Sequence, residues 1–84
     1  MKYATYLLPS AEKDCQKLPQ DVYRRCRQSL LKLEENPRLH GSQKLVGEDG
    51  YRVRVGDYRI LYRIDDVQKR VYVYRIKHRR DVYR

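Results

Sequence analysis

Apolar and basic residues alternate strictly through much of the second half of the chain, and strict alternation is the period of a β-strand. The alternation occupies residues 51–55 and 58–64, and a third strand is predicted over the residues 69–76, Lys-Arg-Val-Tyr-Val-Tyr-Arg-Ile. Gly56-Asp57, between the first two runs, suits a two-residue hairpin turn. The pattern therefore predicts an antiparallel meander of three strands.

The predicted meander has two unlike faces. One parity is apolar and consists of Tyr51, Val53, Val55, Tyr58, Ile60, Tyr62 and Ile64. The other parity is mainly basic and consists of Arg52, Arg54, Arg59, Leu61 and Arg63. Because amphipathic helices must bury their apolar stripes, we expect helices to cover the first face and the arginines to line the second.

The first half of the chain changes from a strand-like to a helical pattern. Residues 2–8 predict a strand that Pro9 ends, and Ser10 then suits the N-cap of a helix over 10–18. A second helix is predicted over 20–35. Its apolar stripe consists of Val22, Cys26, Leu30 and Leu33, widened by Tyr23 and Leu31.

Prolines and glycines mark residues 37–50 as a loop, and the basic residues 77–84 suit a tail with a short helical turn. The order of elements predicts one α+β domain over residues 1–84. It begins with a strand, continues with a two-helix hairpin and ends with the three-stranded antiparallel meander, with the helices on one face of a compact sheet. We expect the first strand to pair beside the meander, although the pattern does not fix the order of the strands.

The charge of the chain narrows the class of partner. Lysine and arginine number 20 against 11 acidic residues, a formal net charge of +9, and most of the excess falls in residues 42–84. Concentrated positive charge indicates a polyanionic partner such as nucleic acid. The alternative is that the excess of positive charge only improves the solubility of the protein.

Cysteine usage and the absence of long apolar runs indicate the compartment. Cys15 and Cys26 both fall on apolar helical positions, as small core residues in a reducing cytosol do. No run approaches the roughly 20 apolar residues of a membrane span, and the N-terminus lacks the apolar core of a signal peptide. We therefore predict a cytoplasmic protein with no membrane contact.

Three arginines of the basic face are candidates for binding one anion together. Arg52 and Arg54 are expected to point the same way about 7 Å apart, and Arg59 follows the tight turn on the paired strand. Converging guanidiniums repel one another unless an anion bridges them, and their donors match the oxygens of phosphate. The alternative is that these arginines are merely solvated on an exposed sheet face.

The C-terminal segment adds groups for proton transfer, namely Lys77, His78, Arg79, Arg80 and Tyr83. Neighbouring cations favour a phenolate, so Tyr83 is a candidate general base or acid, with His78 as a second candidate. Tyr83 could instead anchor the tail by packing on the sheet. RNA carries its own 2′-hydroxyl nucleophile, so these groups would suffice for a ribonuclease. No metal-ligand spacing, phosphate loop or dinucleotide motif is present, so we predict neither a metal nor a cofactor.

The elements and motifs together resemble the RelE branch of the RelE/ParE toxin superfamily over nearly the whole chain. The resemblance lies in the order strand, helix, helix, three strands, and in the loop residues Asn36-Pro37-Arg38, Gly41, Lys44-Leu45 and Gly47. It also lies in the run Tyr51-Arg52-Val53-Arg54-Val55-Gly56-Asp57-Tyr58-Arg59-Ile60-Leu61-Tyr62 and in the ending His78-Arg79-Arg80-Asp81-Val82-Tyr83.

The resemblance implies a toxin of a type II toxin–antitoxin pair. Toxins of the RelE type enter the ribosomal A site and cleave mRNA without metal, through attack of the 2′-hydroxyl, and so inhibit translation. The implied partners are the ribosome with its mRNA and a cognate antitoxin that is acidic, partly disordered and RelB-like. Operator DNA would be bound only through the toxin–antitoxin complex.

The resemblance also implies roles for particular residues. Tyr83 would be the base, helped by Arg52 and Arg54, while Arg59 would bind the scissile phosphate. Either Lys77 or Arg79 would stabilise charge or act as the acid. Further basic groups predicted to contact RNA are Lys44, Arg63, His78 and Arg80. Two other functions stay open, namely a ParE-like toxin that poisons gyrase and a non-catalytic module that binds RNA or the ribosome.

Overall fold

The computed structural model describes residues 2–39, 41–47 and 49–82. Its helices are α1 (Pro9–Gln16), α2 (Gln20–Glu35) and α3 (Arg79–Val82). Its strands are β1 (Ala4–Leu7), β2 (Ser42–Lys44), β3 (Tyr51–Val55), β4 (Tyr58–Asp65) and β5 (Arg70–His78). The strands form a mixed sheet in the order β1-β5-β4-β3-β2, against which α1 and α2 pack. The predicted α+β class and the predicted sequence of strand, two helices and meander are confirmed.

The hairpin between β3 and β4 forms as its sequence predicts. Val55 pairs with Tyr58 across the two-residue turn, and Gly56 adopts a φ of +59°. A positive φ at the first central position is the requirement that glycine meets in a tight hairpin turn. The turn fixes the register of β3 against β4, and that register decides which arginines face one another.

The prediction of a loop over 37–50 was wrong at one edge of the sheet. Within that loop, β2 pairs antiparallel with residues 51–53 of β3. At the other edge, β1 pairs in parallel with residues 70–73 of β5, which confirms that the first strand lies beside the meander. The sequence gives no separate signal for β2, because its three residues lack alternation, and the order of the strands depends on the path of the whole chain.

The start of α1 also differs from the prediction, which made Ser10 the N-cap. Pro9 is instead the first helical residue, and Leu8 precedes the helix without a side-chain cap. Proline suits this position because its fixed φ is helical and its missing N–H would have no partner there. Pro9 therefore ends β1 by beginning a helix.

The core lies between the helices and the predicted apolar face of the sheet. Its buried apolar residues are Ala11, Cys26, Leu33, Val53, Val55, Ile60, Tyr62, Val71, Val73 and Ile76. The widening of the α2 stripe by Tyr23 and Leu31 was wrong, since these side chains are 39% and 60% exposed. They line a groove between α2 and β1, together with Thr5 and Leu7, and stay partly open to solvent.

Both cysteines are free, and their surroundings agree with a packing role. Cys26 is buried, and Cys15 is half-buried against the core. Burial raises the pKa of the Cys26 thiol to about 11. A thiol with so high a pKa stays protonated near neutral pH and is a poor nucleophile.

An irregularity in β5 extends the strand beyond its predicted end. Leu61 pairs with Arg75 while Tyr62 pairs with Val73, so Tyr74 is an extra residue opposite β4. The bulge allows Val73 and Ile76, three positions apart, both to be buried. It also carries the strand on to His78, so that residues 77 and 78 belong to the sheet rather than to the predicted tail.

Asp14 of α1 joins the helix to β5 beyond this bulge. Its carboxylate accepts hydrogen bonds from the Arg75 Nε at 2.9 Å and from the Ile76 backbone N–H at 2.8 Å. Burial tends to raise the pKa of Asp14, but the hydrogen bonds from Arg75 and Ile76 outweigh it and leave the pKa below its ordinary value. The ionised carboxylate therefore stabilises the folded chain.

Replacing Asp14 with asparagine is expected to lower the free energy of unfolding at pH 7 by about 1.5–3 kcal/mol, the range for hydrogen bonds to charged groups. A carboxyl with a depressed folded pKa stabilises above its unfolded pKa, and this contribution is lost as pH falls through the folded value. In urea titrations the deficit of Asp14→Asn should therefore shrink as the pH falls through the lowered pKa of Asp14. Asp21→Asn, at an exposed position of α2, is the control, and a deficit of Asp14→Asn that persists in acid would contradict the assignment.

No helix formed by the described residues has both the length and the apolar character that crossing a bilayer requires.

Candidate functional site

A row of three cations crosses β3, β4 and β5 on the face away from the core, one residue pair before the β3–β4 turn. The register pairs Arg54 of β3 with Arg59 of β4, and Arg59 with Lys77 of β5. Directly opposed residues of neighbouring strands have Cβ atoms about 5 Å apart and share a face. Like charges in such positions repel each other, so an anion bound over the row would stabilise it. We call Arg54, Arg59 and Lys77 the cation row.

The environment of the row differs from one member to the next. Arg59, in the middle, is only 4% exposed, whereas Arg54 is exposed and Lys77 is half-buried. Among residues 2–39, 41–47 and 49–82, no carboxylate forms an ion pair with Arg54 or Lys77. Their charges are thus available to a ligand at the surface, while the central guanidinium is held in place by its burial.

Arg52 stands beside the row and is fixed by β2. It lies two residues before Arg54 on the same face of β3, and it pairs with Gln43. The Arg52 side chain donates from Nε and Nη2 to the Gln43 Oε1, at 3.1 and 2.6 Å. This bidentate contact holds the guanidinium in one orientation about 7 Å along the strand from Arg54.

The structure separates the two basic residues between which the sequence could not choose. Lys77 lies in the cation row. Arg79 begins α3, where its backbone N–H donates to the Asp57 carbonyl at 2.7 Å and its Nε lies 4.0 Å from the Asp57 carboxylate. The Arg79 side chain is therefore placed beside the β3–β4 turn, at the end of the sheet.

Two predicted RNA contacts near the C-terminus are engaged with each other. The Nδ1 of His78 accepts from the backbone N–H and the Nε of Arg80, at 3.3 and 3.4 Å. The imidazole ring also meets the edge of Tyr58, with ring centroids 5.1 Å apart. The histidine thus supports the start of α3, and its parity is that of the core face.

The other predicted RNA contacts are dispersed. Arg63 is on the face of the cation row but four residues from Arg59, about 13 Å along the strand. Its Nε donates to the Asp49 carbonyl at 3.2 Å, and its guanidinium lies 4.8 Å from the centre of the Tyr74 ring. Lys44 is exposed on β2, opposite Tyr51. Tyr83, the predicted base, lies outside the described residues.

A cleft of about 570 Å³ adjoins the cation row. It lies where β2 ends, because β2 pairs with β3 only as far as Val53 and leaves the edge of β3 uncovered at Arg54. Arg52, Arg54 and Arg59 line it, together with Val53, Leu39, Gly41, Gln43, Ser29 and Lys32. The Tyr62 hydroxyl donates to the Pro37 carbonyl at 2.6 Å and so fixes the segment that carries Leu39 to the sheet.

Sequence reasoning missed the members of this cleft that come from α2 and β2. Gln43 was assigned to a loop, and Lys32 and Ser29 lie on the polar side of a helix whose apolar side alone was interpreted. The one available signal was the spacing of Arg25, Ser29 and Lys32 along one flank of α2, which becomes meaningful only once that flank is known to face β3. In the described part of the chain, no three histidine, cysteine or acidic residues are grouped so as to hold a metal ion.

Comparisons with known proteins agree with the geometry. The family model for the ParE toxin of the type II toxin–antitoxin system parDE matches residues 6–83. Toxin RelG of Mycobacterium tuberculosis is 33% identical over 88 residues, which span 100% of this chain and 99% of that protein.

Two solved complexes contain a chain of similar structure. The toxin–antitoxin complex RelBE2 of Mycobacterium tuberculosis matches with a TM-score of 0.84 and 30% identity, over 94% of this chain and 100% of that chain. The archaeal RelE–RelB complex of Pyrococcus horikoshii OT3 matches with a TM-score of 0.83 and 32% identity, over 94% of this chain and 97% of that chain.

Proposed function

This chain belongs to the RelE/ParE superfamily of type II toxin–antitoxin toxins, and from that premise we propose that it is a ribosome-dependent endoribonuclease that cleaves mRNA without a metal ion. The observation that carries the proposal is the cation row. Three opposed positive charges from neighbouring strands are costly in an isolated protein. Attack on a phosphodiester forms a pentacoordinate phosphorane that carries an extra negative charge. Such a row of cations would stabilise this species most.

The proposed reaction needs a base, charge stabilisation and an acid. The base removes the proton of the 2′-hydroxyl, whose oxygen attacks the adjacent phosphorus and displaces the 5′-oxygen of the next nucleotide. Arg59 and its neighbours stabilise the crowded phosphorane, and the leaving 5′-oxygen takes a proton from an acid. The products are a 2′,3′-cyclic phosphate and a 5′-hydroxyl.

Roles follow from this scheme. We assign the scissile phosphate to Arg59, with Arg54 and Arg52 on its non-bridging oxygens. Lys77 rather than Arg79 stabilises charge on the opposite side, since it is the member of the cation row. The assignment of Tyr83 as the base rests on the family resemblance.

Mapping the cut in an mRNA bound to a programmed ribosome tests the proposal. We expect a single break in the A-site codon in the presence of a chelator, with a cyclic phosphate on the upstream fragment. A 2′-deoxy substitution at the cut nucleotide removes the nucleophile and should abolish the break. A break that survives this substitution would exclude attack by the 2′-hydroxyl.

We further propose a cognate antitoxin as the protein partner. The related structures named above are complexes of RelE-type toxins with RelB-type antitoxins. A net charge of +9 favours an acidic partner, and a partly disordered chain could cover the cation row as it folds on the toxin. Operator DNA would then be bound by the complex and not by this chain alone.

A second function, poisoning of DNA gyrase, has one observation in its favour, since the matching family model is that of ParE. It requires binding but no cleavage of RNA. A supercoiling assay with purified gyrase separates the two, because an mRNA-cleaving toxin should leave gyrase active. A third function, binding of RNA without chemistry, would show equal losses of binding and of growth inhibition in Arg59→Ala and Tyr83→Phe.

Binding of a single-stranded RNA oligonucleotide is expected to weaken steeply with salt. Each neutralised phosphate of a single strand contributes a slope of about −0.7 in a plot of log K against log salt concentration. Three to four contacts at the cation row and Arg52 predict a total slope of roughly −2 to −3.

Two variants that make the same change, arginine to glutamine, at different positions are compared in this titration. Arg54→Gln should make the slope shallower by about 0.7, whereas Arg24→Gln, at an exposed position of α2, should leave it nearly unchanged. Equal changes in the two variants would show that net charge, and not the cation row, sets the salt dependence.

A further inference from the structure

We propose that the sheet face which carries the cation row also carries a stacking platform for bases of the same RNA strand. The platform consists of the rings of Tyr6, Tyr72 and Tyr74, with the guanidiniums of Arg63 and Arg70 beside them. The inference rests on the proposed function only in that the ligand is single-stranded RNA, and it does not require that the RNA is cleaved.

The register of the sheet brings the rings together beyond the cation row. Tyr6 of β1 pairs with Tyr72 of β5, and Tyr72 pairs with Arg63 of β4. Arg63 lies on the face of the cation row, about 13 Å along β4 from Arg59. The helices α1 and α2 bury their apolar residues against the opposite face, and Tyr6 keeps 43% of its surface exposed. The rings are therefore open to a ligand.

Contacts among the five side chains hold the rings in place. The Tyr6 and Tyr72 rings stack with their centroids 5.7 Å apart and an angle of 29° between their planes. The Arg70 guanidinium lies 5.4 Å from the centre of the Tyr6 ring, and its Nη1 donates to the Tyr72 hydroxyl at 3.2 Å. Arg63 lies over the Tyr74 ring in a similar way. Because these side chains are already ordered, little conformational entropy is lost when a base binds.

The combination of rings and cations favours RNA over a protein as the occupant. Bases stack on tyrosine rings and on guanidinium planes, while the phosphates of the same strand lie beside the positive charges. A protein that covered the rings with apolar side chains would also have to bury two guanidiniums, which is costly unless each is paired. Among the described residues, no carboxylate forms an ion pair with Arg63 or Arg70.

The platform and the cation row belong to one continuous surface. Arg52 and Leu61 face each other between them, on the same side of the sheet. A strand with a phosphate on Arg59 can therefore place a nearby base on the tyrosine rings without leaving the positively charged face. The platform binds nucleotides that flank the cut, and it accepts any base because every base has a π-face.

Fluorescence anisotropy with two labelled RNA octanucleotides tests the platform. One oligonucleotide carries its bases, and the other has an abasic residue at every position, so the two have the same number of phosphates. For the unmodified chain, we expect the oligonucleotide with bases to bind on the order of tenfold more tightly, the effect of about one stacked base. Equal affinities, or no binding of either oligonucleotide, would overturn the platform.

Three variants locate the base contact. Tyr6→Leu keeps an apolar side chain but removes the ring, so the tenfold advantage should fall to about twofold or less. Tyr6→Phe keeps the ring and should preserve the advantage. Tyr23→Leu makes the same change as Tyr6→Leu at a similarly exposed position of α2, 39% against 43%, and should also preserve it. An unchanged advantage in Tyr6→Leu, or an equal loss of affinity for both oligonucleotides, would contradict stacking on this ring.

Two further measurements identify the occupant. A titration well above the Kd should saturate at one oligonucleotide per chain, and two per chain would overturn a strand shared with the cation row. If Tyr6→Leu leaves RNA binding unchanged and weakens binding of the cognate antitoxin, the rings bind a protein and the platform is overturned. A failure to cleave mRNA on the ribosome would count against the proposed ribonuclease alone, because the platform is measured by binding.

Discussion

Arg59→Met is expected to lower the rate of mRNA cleavage by about 10²–10³-fold, the effect of removing one preorganised donor from a developing oxyanion. Arg59 is the middle member of the cation row, and burial to 4% exposure restricts the positions that its guanidinium can take. A donor that is already in place does not have to reorganise as charge develops on the phosphate. Single-turnover cleavage on a programmed ribosome measures the loss.

Methionine is chosen because it keeps the apolar stem of the side chain and removes the guanidinium. Arg59 is almost fully buried, so the fold of the variant is checked separately. A cooperative thermal unfolding transition in Arg59→Met shows that the loss of activity is not a loss of the folded state.

Arg63→Met is the matched control for this experiment. It removes the same group from the same strand and the same face, about 13 Å from Arg59. We expect a loss of about threefold or less, in line with one weakened RNA contact near the surface. Equal losses in the two variants would show that the face binds RNA as a diffuse positive surface and that no single phosphate site exists.

The sequence predicted the meander and its two faces because alternation reports directly on what each side of a strand meets. Val53 and Ile60 are buried as their parity requires, and Arg54 and Arg59 share the opposite face. The tight turn at Gly56 fixed the register of β3 against β4. The position of Arg54 beside Arg59 could therefore be predicted from the local sequence.

The edges of the site were beyond such reasoning, because they are created by contacts between distant segments. Residues 42–44 form a strand only through the edge of β3, and their pairing brings Gln43 to Arg52. Lys32 enters the cleft because α2 crosses the sheet beside β3, and no residue near Lys32 in sequence signals that crossing. A pattern within one element says which side is apolar, but it does not say which neighbour covers that side.

The choice between Lys77 and Arg79 depended on one bulge. A regular β5 would reverse the parity of every residue after Tyr74, and Lys77 would then share the core face with Val71 and Val73. The extra residue opposite β4 keeps Ile76 in the core and turns Lys77 to the cation row. Bulges of this kind redirect side chains beside functional sites, and their position follows from packing on both sides of the strand.

Lys77→Met is accordingly expected to reduce cleavage by about 10²-fold, the lower end of the range for charge stabilisation or proton transfer by one side chain. Arg79→Met should reduce it by less than about threefold, because Arg79 is exposed beside Asp57 at the end of the sheet. Lys77→Arg keeps the charge but gives a far weaker acid. It should restore the rate if Lys77 stabilises charge, and it should leave the rate low if Lys77 donates the proton. A greater loss in Arg79→Met than in Lys77→Met would contradict the cation row as the site of chemistry, because the group that matters would then lie at the β3–β4 turn.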